Sequence, residues 1–220
     1  MTVTSSPSSP SSPSSPSSRE IGAYERHVRK ATSHDLAAIG WILAVAFHDD
    51  PVMTWAIPDE SRRHATLPAA MEVLAEYFQP LGANRVNESG TGAAVWSPPG
   101  ATPGPEADAG LTLGLEASCP DDLARLGEIM DLLAWHHPSE PHHYLNLLGV
   151  IPDRQGAGIG SALLRSVLDG ADRRDEPAYL EATSPRNRAL YERHGFVVVD
   201  ELRTGDCPPL WAMWRKPNSS

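Results

Sequence analysis

Residues Gln155 to Gly160 read Gln-Gly-Ala-Gly-Ile-Gly, three glycines in six positions. They follow an apolar strand-like run, Tyr144 to Val150, and precede an amphipathic helical pattern from about 158 to 173. Glycines leave backbone N–H groups uncovered by side chains. Where such a loop opens a helix, those groups meet the positive end of the helix dipole. The combination binds anions and suits a diphosphate.

Two kinds of loop fit that chemistry. A dinucleotide-binding unit carries G-x-G-x-x-G after its first strand and an acidic residue about 20 positions on. Glu181, in the strand-like run Ala178 to Ala182, occupies that place. The glycine spacing differs, however, because Gly156 and Gly158 are followed by Ser161. Only 39 residues follow Glu181, too few to complete a doubly wound sheet.

The Q-x-x-G-x-G pattern after Leu148-Gly149-Val150 resembles motif A of the GCN5-related N-acetyltransferases (GNAT). Ser184 to Phe196, with Asn187, Tyr191, Glu192, Gly195 and Phe196 in the order N-x-x-x-Y-E-x-x-G-F, resembles motif B of the same family. The resemblance implies an acetyl-coenzyme A co-substrate, its pyrophosphate cradled by Gln155, Gly156, Ala157, Gly158, Ile159, Gly160 and Ser161. Leu148, Gly149 and Val150 would meet the pantetheine arm, and Asn187 and Tyr191 would lie beside the thiol end.

Acyl transfer from a thioester to an amine needs few parts. The amine must lose a proton, the developing oxyanion needs a donor, and the departing thiolate needs a proton or a positive dipole. An aminoacyl α-amine has a pKa of about 7.7 to 8, so a weak base suffices. A phenol of pKa about 10 can protonate a thiolate of pKa about 8.5. Tyr191, by its motif B position, is the expected acid, and Glu181 on the adjoining strand the expected base.

His136, His137, His142 and His143 are four histidines in eight residues and invite a zinc reading. Zinc sites use defined pairs with further ligands, and alternate side chains on a strand starting at 142 point apart. No metal site is expected; solvated or structural roles are, with His143 or His136 lining the acceptor pocket as the sharper alternative. Trp41, Phe47, Trp55, Tyr77 and Phe78 fall on the early helices, as core residues or as walls of an aromatic acceptor pocket.

The elements that must position these groups follow from periodicity. A first strand is expected at about 27–32, then a helix capped by Ser33 with Leu36, Ile39, Leu43 and Phe47 at helical spacing. A second helical region spans about 59–80, with a kink or break at Pro68. Gly92 to Ser97 reads as a strand, 98–110 as a Pro/Gly/Ala-rich loop, and Asp121 or Asp122 as a helix start. Strands at about 142–150, 178–182, 196–200 and 210–215 enclose the two motif helices. The implied fold class is α/β (α+β): the GNAT fold, a mixed sheet of about six to seven strands flanked by helices and splayed at the acetyl-coenzyme A site.

The chain has 220 residues, 40% hydrophobic and 21% charged, which suits one core. Residues 5–18 are a period-three Ser-Pro tract, so 1–24 is expected to be a disordered tail and 25–217 a single N-acetyltransferase domain. No apolar run reaches about 18 residues, and the N-terminus lacks the apolar core of a secretory signal. Neither a membrane nor a nucleic-acid partner is expected, the latter because the net charge is −10. Two cysteines form no disulfide framework, so a reduced cytoplasmic setting is the expectation.

The resemblance extends to the puromycin N-acetyltransferases within the family. It rests on Ala94-Val95-Trp96, the His136-x-Pro138-x-Glu140-Pro141 entry, Leu180-Glu181 before Pro185-Arg186-Asn187, and the Trp211-x-Met213 ending. It implies acetylation of a small-molecule amine, an aminonucleoside antibiotic such as puromycin first, for resistance. The other readings are an N-acetyltransferase for another metabolite or peptide amine, and a non-catalytic coenzyme A-binding module.

Overall fold

A computed structural model describes residues 18–218 of the chain. Seven strands form one sheet: β1 (Val28–Lys30), β2 (Arg85–Asn87), β3 (Gly92–Ser97), β4 (His143–Val150), β5 (Ala178–Ala182), β6 (Val197–Leu202) and β7 (Leu210–Arg215), in the order β1-β2-β3-β4-β5-β7-β6. Neighbours run antiparallel except β4 and β5, the central parallel pair.

Among the described residues eight α-helices accompany the sheet: α1 (Ser18–Glu25), α2 (Leu36–Phe47), α3 (Pro51–Ala56), α4 (Glu60–Phe78), α5 (Pro105–Ser118), α6 (Leu123–His136), α7 (Ile159–Arg173) and α8 (Pro185–Glu192). All six residues of β3 are buried, and they serve two cores by alternation. Ala93 and Val95 join the core shared with α2, α4, α5 and α6, alongside Ile39, Leu43, Leu67 and Leu115. Ala94 and Trp96 join the core under α7, with Ile159, Leu163, Leu164 and Leu168.

Several expectations need correction. The Ser-Pro tract lies almost wholly outside the described residues, but Ser18–Glu25 is helical, so the expected tail is too long at its C-terminal end. Polar contacts hold the end of that helix: Tyr24 donates to the Glu88 carbonyl at 3.1 Å and Asn87 to the Glu25 carbonyl at 2.6 Å. The stretch 98–110 is loop only as far as Gly104. Helix α5 starts at Pro105, where the missing N–H costs nothing, with Glu106 and Asp108 in its first turn and Leu111 and Leu115 buried. Helix α4 runs unbroken through Pro68.

Asp35 rather than Ser33 is the N-cap of α2, and a short 3-10 turn, Ser33–Asp35, precedes it. Asp35 accepts from the Thr32 N–H at 2.8 Å and from its hydroxyl at 2.9 Å. Cys119 and Cys207 are both buried and free. Among the described residues no helix is long and apolar enough to cross a membrane.

Candidate functional site

The parallel pair supplies the opening. β4 and β5 pair only at His143 with Ala178, Tyr144 with Tyr179 and Leu145 with Leu180. Beyond that point Asn146–Val150 and Glu181–Ala182 part, while β4 stays paired to β3 and β5 to β7. A bulge accompanies the parting. Val95 faces Leu147 and Trp96 faces Leu145, which leaves Asn146 with no partner on β3. Leu148, Gly149 and Val150, paired to β3 alone, thus border a cleft on the side of β5.

The glycine loop closes one end of it. Gly156 and Gly158 have φ of +83° and +84°, the left-handed region in which a side chain is strained. Gly158 is the N-cap of α7, a helix of 15 residues, so the free N–H groups of the first turn face outward from the loop. The Gln155 side-chain amide donates to the Val150 carbonyl at 2.9 Å and ties the loop back to β4. Two further glycines are there for closeness. A Cβ on Gly149 would stand 2.8 Å from the Ala46 Cβ, and one on Gly160 would stand 3.3 Å from Leu190 of α8. Ile159 and Ala157 pack into the core below, and Ser161 lies in the first turn of α7.

Motif B sits across the cleft. Ser184 caps α8, and Asn187 completes a capping box: Ser184 N–H donates to Asn187 Oδ1 at 3.0 Å, and Asn187 N–H to Ser184 Oγ at 3.3 Å. The Asn187 amide then donates to Thr183 Oγ1 at 2.9 Å. Thr183 in turn donates to Asp50, the N-cap of α3, which also accepts from the Val52 N–H at 2.9 Å. Tyr191 is 5% exposed and packs edge-on against Phe196. Burial first, then the nearby Asp50 carboxylate, hold its hydroxyl well above the usual phenol range.

Glu181 points to the other face, with Tyr144 and Tyr179. Tyr144 donates to Glu181 Oε2 at 2.8 Å. Burial pushes the Glu181 carboxyl up to about 7, and the Tyr144 hydrogen bond pulls the other way. Its second oxygen, Oε1, is buried and unpartnered, as is the Tyr179 hydroxyl. The two lie close enough to feel each other but without hydrogen-bond geometry. Tyr144 itself is held far above 10 by burial and by the Glu181 carboxylate, so it keeps its proton.

The histidines separate. His137 packs against Tyr144, ring centroids 4.8 Å apart, and against His142 at 4.9 Å. Burial lowers the pKa of both and keeps them neutral. His143 turns to the opposite face and meets Glu176 at 2.7 Å, and His136 bonds the Leu132 carbonyl of its own helix. His143 and His136 thus take structural roles, and of the four histidines His137 is the one that lines the cavity on this face. Strand alternation sends 143 away, and the helix α6 carbonyl engages 136.

A cavity of about 320 Å³ lies on this face between α2–α6 and β4. Its walls are apolar and partly aromatic, with Phe47, Met71, Tyr77, Phe78, Leu115 and Ile129 among them. Tyr77, Cys119, His137, Tyr144 and Asn146 bring its polar side-chain groups. Phe47, Tyr77 and Phe78 thus take the pocket-wall role, whereas Trp41 is half-exposed on the far side of α2 and Trp55 bonds Asp206.

Sequence reading missed Tyr144, Tyr179, Asp50 and Thr183. Alternation along Tyr179-Leu180-Glu181 places Tyr179 beside Glu181, and that signal was available. Asp50 before Pro51 reads only as a helix cap; nothing local points it at Thr183, 133 residues away.

A splayed parallel pair with a glycine loop at a helix start defines a coenzyme A-type acyltransferase scaffold. The comparisons agree. The family model described as "Acetyltransferase (GNAT) domain" matches residues 122–198. A solved Corynebacterium glutamicum protein, titled histone acetyltransferase HPA2 and related acetyltransferase, is 32% identical, with 88% of this chain and 97% of that one covered and a TM-score of 0.66. An uncharacterized N-acetyltransferase of Schizosaccharomyces pombe is 33% identical over 79 residues, which is 34% of this chain. The chain spans about a third of that curated relative, 32% of its length. Arylalkylamine N-acetyltransferase 2 of Aedes aegypti shares the fold at 13% identity and a TM-score of 0.59, with 87% and 99% of the two chains covered. The chain belongs to the GNAT family of N-acetyltransferases, whose members take acetyl-coenzyme A as co-substrate.

Proposed function

We propose that the protein transfers the acetyl group of acetyl-coenzyme A to the amine of a small molecule with an aromatic or flat apolar portion, an aminonucleoside such as puromycin being the first candidate. The observation that carries the reading is the parting of β4 from β5 beside an apolar, aromatic-walled cavity. The cleft suits the co-substrate, and the cavity suits the acceptor's body. The puromycin-acetyltransferase resemblance of Ala94-Val95-Trp96, Leu180-Glu181 and Pro185-Arg186-Asn187 supports the acceptor class, and a net charge of −10 favours a cationic one.

The residues fit the co-substrate. Glycines at φ +83° and +84° admit a pyrophosphate where a Cβ would crowd it, and the α7 N–H groups from Ile159 to Ser161 supply donors. Leu148, Gly149 and Val150 lie on the part of β4 that β5 no longer covers, where the pantetheine would run. Gln155 holds the loop, and Asn187 caps α8, the helix that carries Tyr191. When bound, the co-substrate brings an activated acetyl group with a thiolate leaving group. Tyr191 gives that thiolate a proton, and Glu181 receives the proton lost by the amine. A carboxyl near 7 is well matched to an amine of pKa about 8. A reduced, cytoplasmic setting goes with the reading, and the purpose would be antibiotic resistance.

The test is a panel of amines assayed for free thiol release, with puromycin, phenylethylamine, polyamines and a peptide N-terminus included, beside resistance scored in a sensitive host. Puromycin and phenylethylamine should outpace the polyamines. Normal turnover of a polyamine or peptide with none of the aromatic amines would keep the enzyme class and remove this acceptor class.

A further inference from the structure

The acceptor cavity and the expected base do not touch. Neither Glu181 nor Tyr179 lines the 320 Å³ cavity, yet Tyr144 lines it and also donates to Glu181 Oε2 at 2.8 Å. Tyr144 is therefore the polar group that meets both. It stands at the start of the cleft, level with the last pairs that join β4 to β5. Its ring is fixed by His137 at 4.8 Å and Tyr179 at 5.7 Å. A tyrosine hydroxyl can accept one proton as it donates another, which is what a one-residue bridge requires.

We propose that Tyr144 relays the acceptor's proton from the cavity to Glu181. The proposal rests on the reading of Glu181 as base. In the step, the amine nitrogen bonds to the acetyl carbonyl carbon as the carbon–sulfur bond breaks. The proton that nitrogen must lose passes to the Tyr144 oxygen while the Tyr144 proton passes to Glu181 Oε2. The thiolate takes its proton from Tyr191, which recovers one from solvent, and Glu181 returns one to solvent. Charges and protons balance, and no further reactant is needed.

The surroundings suit that role. Glu181 is faced by Tyr144 of β4 and Tyr179 of β5. Tyr179 also feels Asp200 of β6, and His137 and His142 pack on both tyrosines. Neutral histidines put no positive charge beside the incoming amine.

The test compares Tyr144→Phe with Glu181→Gln, using puromycin and phenylethylamine as acceptors and acetyl-coenzyme A as donor, over a pH series. Thermal shift by acetyl-coenzyme A confirms that each variant folds. Tyr144→Phe should lower kcat by about 100-fold, and the loss should persist far above pH 7. It should also move the acid limb of kcat/KM upward, because Glu181 loses the hydrogen bond that favours its charged form. If the limb moves but the rate recovers at high pH, Tyr144 only tunes Glu181 and the relay is wrong. If Tyr144→Phe matches wild type while Glu181→Gln is impaired, the base reading stands and the relay falls. If Glu181→Gln is fully active, the base reading falls and takes the relay with it. Failure of both acceptors in the wild-type enzyme removes the aromatic-amine reading and the relay together.

Discussion

Thr183 donates its hydroxyl hydrogen bond to Asp50, joining the turn after β5 to the cap of α3 across 133 residues of sequence. Asp50 thereby ties an acceptor-side helix to motif B. Burial raises the Asp50 pKa despite three donors directed at it. Asp50→Ala should remove the α3 cap and free Thr183 and Asn187. The loss should be at least the 0.5 to 2 kcal/mol or so of a cap, read by urea unfolding, and unchanged stability would mean the linkage carries no weight. Asp50→Asn keeps a capping oxygen and should recover most of it.

Gly158→Asp should abolish the thermal shift given by acetyl-coenzyme A. In the wild type, ligand at 100 times its dissociation constant should stabilise by about 2.7 kcal/mol. The variant would place a side chain on a φ of +84° and a negative charge at the start of α7. Gly158→Ala separates strain from charge and should fall between the two. A full ligand shift in the Asp variant would disprove the loop's role.

Glu181→Gln should reverse its effect on stability with pH. The folded pKa of about 7 lies above the unfolded value of about 4.3, so the fold favours the protonated form. That contribution is complete below the unfolded value and is lost as pH rises through about 7. Glutamine stays neutral throughout. Relative to wild type, the variant should therefore be more stable at high pH than at low pH in chemical denaturation. A constant difference across the range would show that Glu181 titrates normally.

Asp172→Ala should be among the most destabilising single changes outside the site. Arg215 is 2% exposed and gives Asp172 two hydrogen bonds of 2.7 Å, joining β7 to α7. Removing the carboxylate leaves a buried cation, at a cost of about 3 to 5 kcal/mol. The Arg215 hydrogen bond is the main cause holding the Asp172 carboxyl below its usual value. That stability is present above the unfolded value of about 3.9 and is lost as pH falls through the folded one. The acid unfolding of the variant should accordingly be less steep, and an unchanged acid transition would contradict the assignment.

Much of this architecture is written in local pattern. The alternation of β3 side chains between two cores, the apolar face of α7 and the Ser184–Asn187 cap are all readable residue by residue, because strand alternation, helical period and capping act over a few positions. The glycines of 156 and 158 declare an anion site for the same reason: their unusual φ is a local property. Start sites were less legible. Pro105 opens α5 inside a stretch rich in helix breakers, because a proline at the first helical turn loses nothing and Leu111 and Leu115 find a core.

What the tertiary structure alone decided is which groups meet. Tyr144 and Glu181 lie 37 residues apart, and Asp50 and Thr183 lie 133 apart. Their contacts depend on where β4 stops pairing with β5 and on how α3 docks. Those are properties of sheet register and helix packing, set by the sum of many burials and encoded at no single position. The sequence by itself therefore determined the family, with its kind of co-substrate, and the strand–glycine loop–helix. The tertiary structure decided that a tyrosine from the neighbouring strand both bonds Glu181 and lines the apolar cavity.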